Sequence, residues 1–295
     1  MGLSMPRVPD RARLVLYAQL ARLDRPVGAL LLLWPTLWAL WIAAQGTPGP
    51  HLLLVFVLGV FLTRSGGCVL NDYADRDLDG GVDRTRDRPL AAGRLTPGEA
   101  LGLAALLFCL AFLLVLTTNR LTVLLSFAGA VLAGIYPFMK RVTYVPQFFL
   151  GLAFSWGIPM AFAAQTGTIP AVAWILYMAN ILWAMVYDTI YAMVDRDDDL
   201  RMGVRSTAIL FDDADTTIIG IMQLMMLALL TLVGHKLQLG FYYYVGIGLA
   251  GAQFLAHQFL IRDRARAACF RAFMLNNWVG LTIFAAIVLA TGTAA

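Results

Sequence analysis

Two acid-rich stretches, each closing a long apolar run, hold the residues whose types and spacing could do chemistry. The first reads Asn71-Asp72-Tyr73-Ala74-Asp75-Arg76-Asp77-Leu78-Asp79, and the second runs from Asp188 through Tyr191 and Asp195 to Asp199. At 3.6 residues per turn, Asn71, Asp75 and Asp79 share one helix face with Asp72 beside them. Asp188, Tyr191, Asp195 and Asp199 line up in the same way. Carboxylates are costly at a membrane boundary unless they hold something positive. Two facing rows repel each other and are expected to settle around divalent cations. Hard oxygen donors that leave coordination positions open suit Mg²⁺ carrying a substrate phosphate. The spacing therefore predicts a diphosphate–Mg²⁺ site at a membrane face. Its metal ligands would be Asp72, Asp75, Asp79, Asp188, Asp195 and Asp199, with Asp72, Asp75, Asp188 and Asp195 as the catalytic set.

Basic residues flank both rows. Gly80-Gly81 breaks the first helix, and Arg84-Thr85-Arg86-Asp87-Arg88 follows, then Gly93-Arg94. A guanidinium fork matches the non-bridging oxygens of a diphosphate, so Arg84 and Arg88 are candidate clamps. Arg201 and Arg205 repeat that logic after the second row, with Tyr191 beside the site. For any of these arginines the plainer alternative is membrane topology alone. Arg64 is singular. It lies two helical turns, about 10 Å, below Asn71 within an apolar run, where an arginine needs an anionic partner. Either it pairs with a carboxylate of the second row, or it recognises a substrate carboxylate below the metal site. Asn71, on the same face, is counted with the substrate-binding residues, and Gly66-Gly67 would leave room for a flat ring.

The elements that position these groups follow from composition. With 60% hydrophobic and 14% charged residues and a mean hydropathy of +0.74, the chain is outside the soluble globular range. Apolar runs predict an all-α, polytopic membrane protein with nine spans near 27–45, 51–70, 99–117, 121–139, 147–166, 170–190, 217–235, 239–260 and 271–292. Thr96-Pro97-Gly98-Glu99 reads as a capping box opening the third span. Residues 1–25 form a polar cytoplasmic segment without a signal-peptide pattern, and 26–295 the membrane domain. Nineteen of the 22 basic residues fall on one side, in the N-terminal segment and alternate loops; the acid rows are therefore expected to face the cytoplasm. The net charge of +4 reflects topology, anionic lipid and phosphate, and gives no reason to expect nucleic acid. Cys68, Cys109 and Cys269 have no CxxC spacing and read as free thiols, and the three histidines lack metal-ligand spacing.

With these residues in hand, the chain resembles the UbiA superfamily of intramembrane prenyltransferases, most closely its 4-hydroxybenzoate polyprenyltransferase branch of ubiquinone biosynthesis. The resemblance runs from Arg22-Leu23-Asp24-Arg25-Pro26 to the ninth span. Asn71, Asp72, Asp75 and Asp79 are similar to the superfamily's NDxxDxxxD motif. Asp188, Tyr191, Ala192, Asp195 and Asp199 are similar to its DxxYAxxDxxxD partner. Tyr136-Pro137-Phe138-Met139-Lys140-Arg141 with Pro146-Gln147, and Ser206-Thr207-Ala208-Ile209, resemble the narrower branch. Asp212-Asp213-Ala214-Asp215 departs from the pattern, which has a glycine after Phe211.

The resemblance implies nine helices around a central cavity, acid motifs at its cytoplasmic mouth and a lateral opening to lipid. It implies a bacterial inner-membrane enzyme that uses Mg²⁺, polyprenyl diphosphate and 4-hydroxybenzoate, with Lys140 and Arg141 reaching the diphosphate. Menaquinone-, haem- or tocopherol-pathway prenylation would use the same fold. A secondary transporter also places acids and arginine in spans, yet here the acids cluster at one face with arginines around them. The DGxxAR-type block of CDP-alcohol phosphotransferases is missing from the sequence.

Overall fold

A computed structural model describes residues 11–80 and 85–292, without the side chains of Leu78 and Asp79. Among the described residues the chain is all-helical, and nine segments are long and apolar enough to cross a membrane. The protein is a multi-pass membrane protein. Its helices are α1 (Arg11–Leu20), α2 (Val27–Ala44), α3 (Pro50–Asp79), α4 (Pro97–Val115), α5 (Arg120–Val142), α6 (Pro146–Ser155), α7 (Gly157–Thr166), α8 (Ala171–Met202), α9 (Thr207–Phe211), α10 (Asp215–Lys236), α11 (Phe241–Ile261) and α12 (Arg266–Gly292).

The capping box forms as expected. The Thr96 hydroxyl accepts the Glu99 N–H at 3.3 Å, while the Glu99 carboxylate accepts the Thr96 N–H at 2.9 Å. Four features were not legible in the apolar runs. The N-terminal segment contains α1, which is tied to the start of α4: Tyr17 and Arg13 donate to Glu99 at 2.8 and 2.6 Å. The fifth span is two helices. Pro159 has no N–H for the carbonyl of Ser155, so the helix ends there, and Trp156 donates its indole N–H to Leu125 O at 2.8 Å. The seventh span begins with α9 and a 3-10 turn, Asp212–Ala214, before α10. Finally, α3 and α8 run straight through the acid rows, 30 and 32 residues long. At 1.5 Å per residue each exceeds a 30 Å hydrocarbon core by roughly 15 Å or more, so both rows project past the apolar layer.

The core gathers on α2, α7, α8 and α12. Trp38 and Trp183 stack with centroids 5.3 Å apart, and their indole N–H groups are satisfied by Gly280 O and Asn276 Oδ1, both at 3.0 Å. Gly280 is required there, because a Cβ would lie 2.3 Å from the Trp34 ring and 2.8 Å from Trp183. This packing fixes α8, and with it the second acid row, against α2 and α12.

Candidate active site

A cavity of about 1470 Å³ opens between α2, α3, α4, α5, α6, α7, α8 and α12. Leu31, Val55, Phe56, Phe112, Val115 and Trp156 line its apolar depth. Its other end carries Asn71, Asp72 and Asp75 of α3 opposite Asp188, Tyr191, Asp195 and Asp199 of α8. Both rows meet on one cavity.

The α3 row is bound by basic side chains from distant segments. Asp72, 2% exposed, accepts from Arg22 Nη2 on both oxygens at 2.9 and 2.8 Å and from Arg88 at 3.0 Å. Asp75, also 2% exposed, receives Lys140 Nζ, the amide of Asn71 at 3.1 Å and, at 3.9 Å, Arg141. A buried carboxylate has to be paired in this way. Facing carboxylates thus need not be quieted by metal alone, as their spacing suggested; cationic side chains share the work.

Arg88, Lys140 and Arg205 line the cavity as expected, Arg205 donating to Val142 O at 2.7 Å over the Tyr144 ring. Arg141 is on the mouth's outer side and caps Ala74 O, and Arg201 is exposed, 3.7 Å from Asp198. The cavity lining does not include either one. Arg84 and the Asp79 side chain lie outside the described residues. Arg64 reaches the cavity and makes no ion pair with the second row among the described residues; it donates to Cys68 Sγ and lies 5.6 Å from the Phe154 ring, and its buried Nε has no hydrogen-bond partner. Gly66 is filled by the Phe108 ring, 2.9 Å from where a Cβ would be, so only Gly67 leaves open space beside Arg64. Tyr191 packs against Phe273 with ring centroids 4.8 Å apart and planes inclined at 51°.

The grip of Arg22 on Asp72 escaped the sequence reading, which counted Arg22 for topology. Arg25, Arg94, Tyr136 and Tyr187 also line the cavity. A signal existed for Arg22: it opens the Arg22-Leu23-Asp24-Arg25-Pro26 stretch where the family resemblance starts.

The donor set fits Mg²⁺ in kind, since both rows offer hard carboxylate oxygens to one cavity mouth. Among the described residues no three of them converge into a ready-made metal cluster, because Asp72 and Asp75 turn onto arginine and lysine.

An apolar, lipid-embedded cavity with carboxylates and cationic forks at one end is the geometry of a membrane prenyltransferase. The UbiA prenyltransferase family matches residues 32–281, and the chain belongs to that family. It is 58% identical to the 4-hydroxybenzoate octaprenyltransferase of Vibrio campbellii, over 93% of this chain and 96% of that one. It is 55% identical to the protein of that name from Marinobacter nauticus, over 94% and 95%. Among solved structures, a UbiA homologue from Aeropyrum pernix K1 shares the fold with a TM-score of 0.78 at 23% identity, over 88% of this chain and 97% of that one. A UbiA homologue from Archaeoglobus fulgidus bound to GPP and Mg²⁺ superposes with a TM-score of 0.71 at 16% identity, over 93% and 99%.

Proposed function

We propose that this protein transfers a polyprenyl group from polyprenyl diphosphate to the ring carbon ortho to the hydroxyl of 4-hydroxybenzoate, releasing diphosphate. The observation that carries this reading is the 58% identity, across 93% of the chain, to a relative named for 4-hydroxybenzoate and an octaprenyl group. Octaprenyl is accordingly the chain length to test first.

The roles follow from position. Arg22, Arg88, Lys140 and Arg205, all at the mouth, are suited to hold the diphosphate and to oppose the charge that grows on it as the allylic C–O bond ionises. Asp72, Asp75, Asp188, Asp195 and Asp199 would hold Mg²⁺, with Asp79 at the end of the first row; bound there, the ion neutralises the leaving diphosphate. Arg64, deeper on the same face as Asn71, is placed to take the aromatic carboxylate as a two-pronged pair, and its unpartnered Nε supports that role. The ring then attacks the allylic carbon and loses its proton, while the apolar walls keep water from the cation. Arg141 and Arg201, at the rim, act on the diphosphate less directly than Lys140 and Arg205. The membrane domain is residues 26–295, in a bacterial inner membrane, with the acid rows and residues 1–25 on the cytoplasmic side; the one-sided placement of basic residues supports this orientation.

The test is incubation of membranes containing the protein with 4-hydroxybenzoate, Mg²⁺ and geranyl or longer diphosphates, with mass detection. The expected product is 4-hydroxybenzoate plus one prenyl group, lost on chelation of the metal. Product only with another aromatic acceptor would overturn the acceptor assignment.

A further inference from the structure

The end of α8 is held from behind as well as lined by the cavity in front. Asp195 and Asp199 face the cavity, with Arg205 and Ser206 next to them. Arg196, the residue after Asp195, bonds in another direction. Its guanidinium donates to Ala208 O and, at 2.9 Å, to Asp212 O, and lies 3.5 Å from Asp215 Oδ2. Asp215 opens α10 and is fully buried. It accepts Arg264 Nε on its two oxygens at 3.0 and 3.1 Å, and Arg264 Nη2 lies 2.9 Å from Oδ1. Arg264 also donates to Asp213 O at 2.7 Å, and it does so from a left-handed backbone, φ +53. Nearby, Arg266 pairs with Asp197 at 3.0 Å and Asp198 at 3.6 Å. One buried carboxylate thereby joins the end of α8, the turn before α10 and the loop between α11 and α12.

A buried ion pair adds little net stability over well-packed apolar side chains of the same volume. What it supplies is direction: the planar fork of Arg264 on the carboxylate, with Arg196 3.5 Å from it and bonded to two carbonyls, fixes distance and angle together. A ring of leucines at the same place would join the three segments and leave α8 free to turn by some degrees. Turning matters here because the same stretch of helix carries the cavity-facing acids, and misplacement of a reacting group by about 1 Å is enough to lose a large part of a rate or an affinity.

We propose that Asp215, Arg264 and Arg196 are positioning residues that fix the rotation and height of the last turns of α8, and so set where Asp195 and Asp199 stand toward the prenyl diphosphate. The inference rests on the proposed function and adds to it residues that do not line the cavity. It also gives Asp215 a task within the one stretch that departs from the family pattern.

The experiment uses the full chain in detergent. For Asp215→Asn, the KM for prenyl diphosphate is expected to rise about tenfold, equivalent to about 1.4 kcal/mol. The KM for 4-hydroxybenzoate is expected to stay unchanged. Amide hydrogen exchange of residues 196–206 is expected to quicken while that of 70–77 holds. Since Asp215→Asn leaves two arginines without their counter-ion, the double variant Asp215→Asn/Arg264→Gln, which keeps hydrogen bonding without charge, repeats the test in a more stable background. Arg264→Lys, which keeps charge and loses the fork, is expected to fall between. If the wild type makes no prenylated product, the proposed function fails first. If the wild type is active and a folded variant keeps both KM values, positioning is overturned, whether or not its melting temperature falls. Failure of both Asp215 variants to fold would assign the triad to stability alone and overturn it too.

Discussion

On α3, Asp72 and Asp75 are almost fully buried and are held by Arg22, Arg88 and Lys140, three side chains that line the cavity themselves. At the end of α8, Arg266 pairs with Asp197 and Asp198, and Arg196 turns to Asp215 at the start of α10, while Asp195 and Asp199 stand half-buried in the cavity lining. The rows read alike in sequence, but the α8 row has a second set of ion pairs next to it, on residues that do not line the cavity. The difference teaches that an acid motif does not carry its own electrostatics. On α3 the cations that pair the buried acids also line the cavity, whereas Arg196, Arg264 and Arg266 pair acids around the end of α8 without lining it.

The largest expected effects test that separation directly. Asp72→Ala, Asp75→Ala and Asp195→Ala are each expected to lower turnover about 100-fold or more, the scale of losing a key charge-stabilising group. The two α3 variants are expected to lower the melting temperature strongly as well, since they strand buried cations. Asp197→Ala, on the outer face, is expected to keep near-wild-type turnover. Turnover and thermal unfolding in detergent check all four, and an unchanged melting temperature for both α3 variants breaks the comparison.

Arg64 extends the α3 face downward, at a depth where α8 offers no basic residue. A buried charge-assisted pair contributes roughly 1.5–3 kcal/mol, or about 10–150-fold in affinity. Arg64→Ala is expected to raise the KM for 4-hydroxybenzoate by about that range, and Arg64→Lys by less, with diphosphate KM kept. A loss of stability at unchanged KM would remove the recognition role.

Lys140 and Arg141 sharpen the comparison within one pair of neighbours. Lys140→Ala is expected to raise the KM for polyprenyl diphosphate by about tenfold, as for one charged contact. Arg141→Ala is expected to do so less, because its guanidinium caps Ala74 O outside the cavity lining. Steady-state kinetics with each substrate varied in turn decides; an effect on the aromatic KM from either variant contradicts both assignments.

The smallest effect belongs to Asp212, whose φ of +45 lies where side-chain-bearing residues are strained. Asp212→Gly is expected to match or slightly exceed the wild-type melting temperature, relief of strain being partly offset by the freer unfolded chain. Asp212→Ala is expected to fall below it. The positive φ also explains the glycine that the family pattern has at this place.

The apolar spans, the capping box and the alignment of acids within each row were legible because each is local: a run of apolar residues, a four-residue cap, a helical period. What was not legible depends on pairs remote in the chain. Arg22 meets Asp72 across 50 residues, Lys140 meets Asp75 across 65 and Arg264 meets Asp215 across 49. No spacing rule distinguishes such partners from arginines that stay outside the cavity lining, as Arg201 does from its exposed position. The break at Trp156 was hidden for another reason: proline in an apolar run reads as a tolerated kink until its neighbours are known.

The contact of α1 with the start of α4 has a consequence in time. Tyr17 and Glu99 are 82 residues apart. At a synthesis rate of about 5–20 residues per second, α1 has been made for roughly 4–16 s before its partner exists. During that interval its apolar residues can meet Val69 and Leu70 of α3 but not the start of α4. The tie of α1 to α4 is therefore closed only after the first two spans have been made and the third has begun.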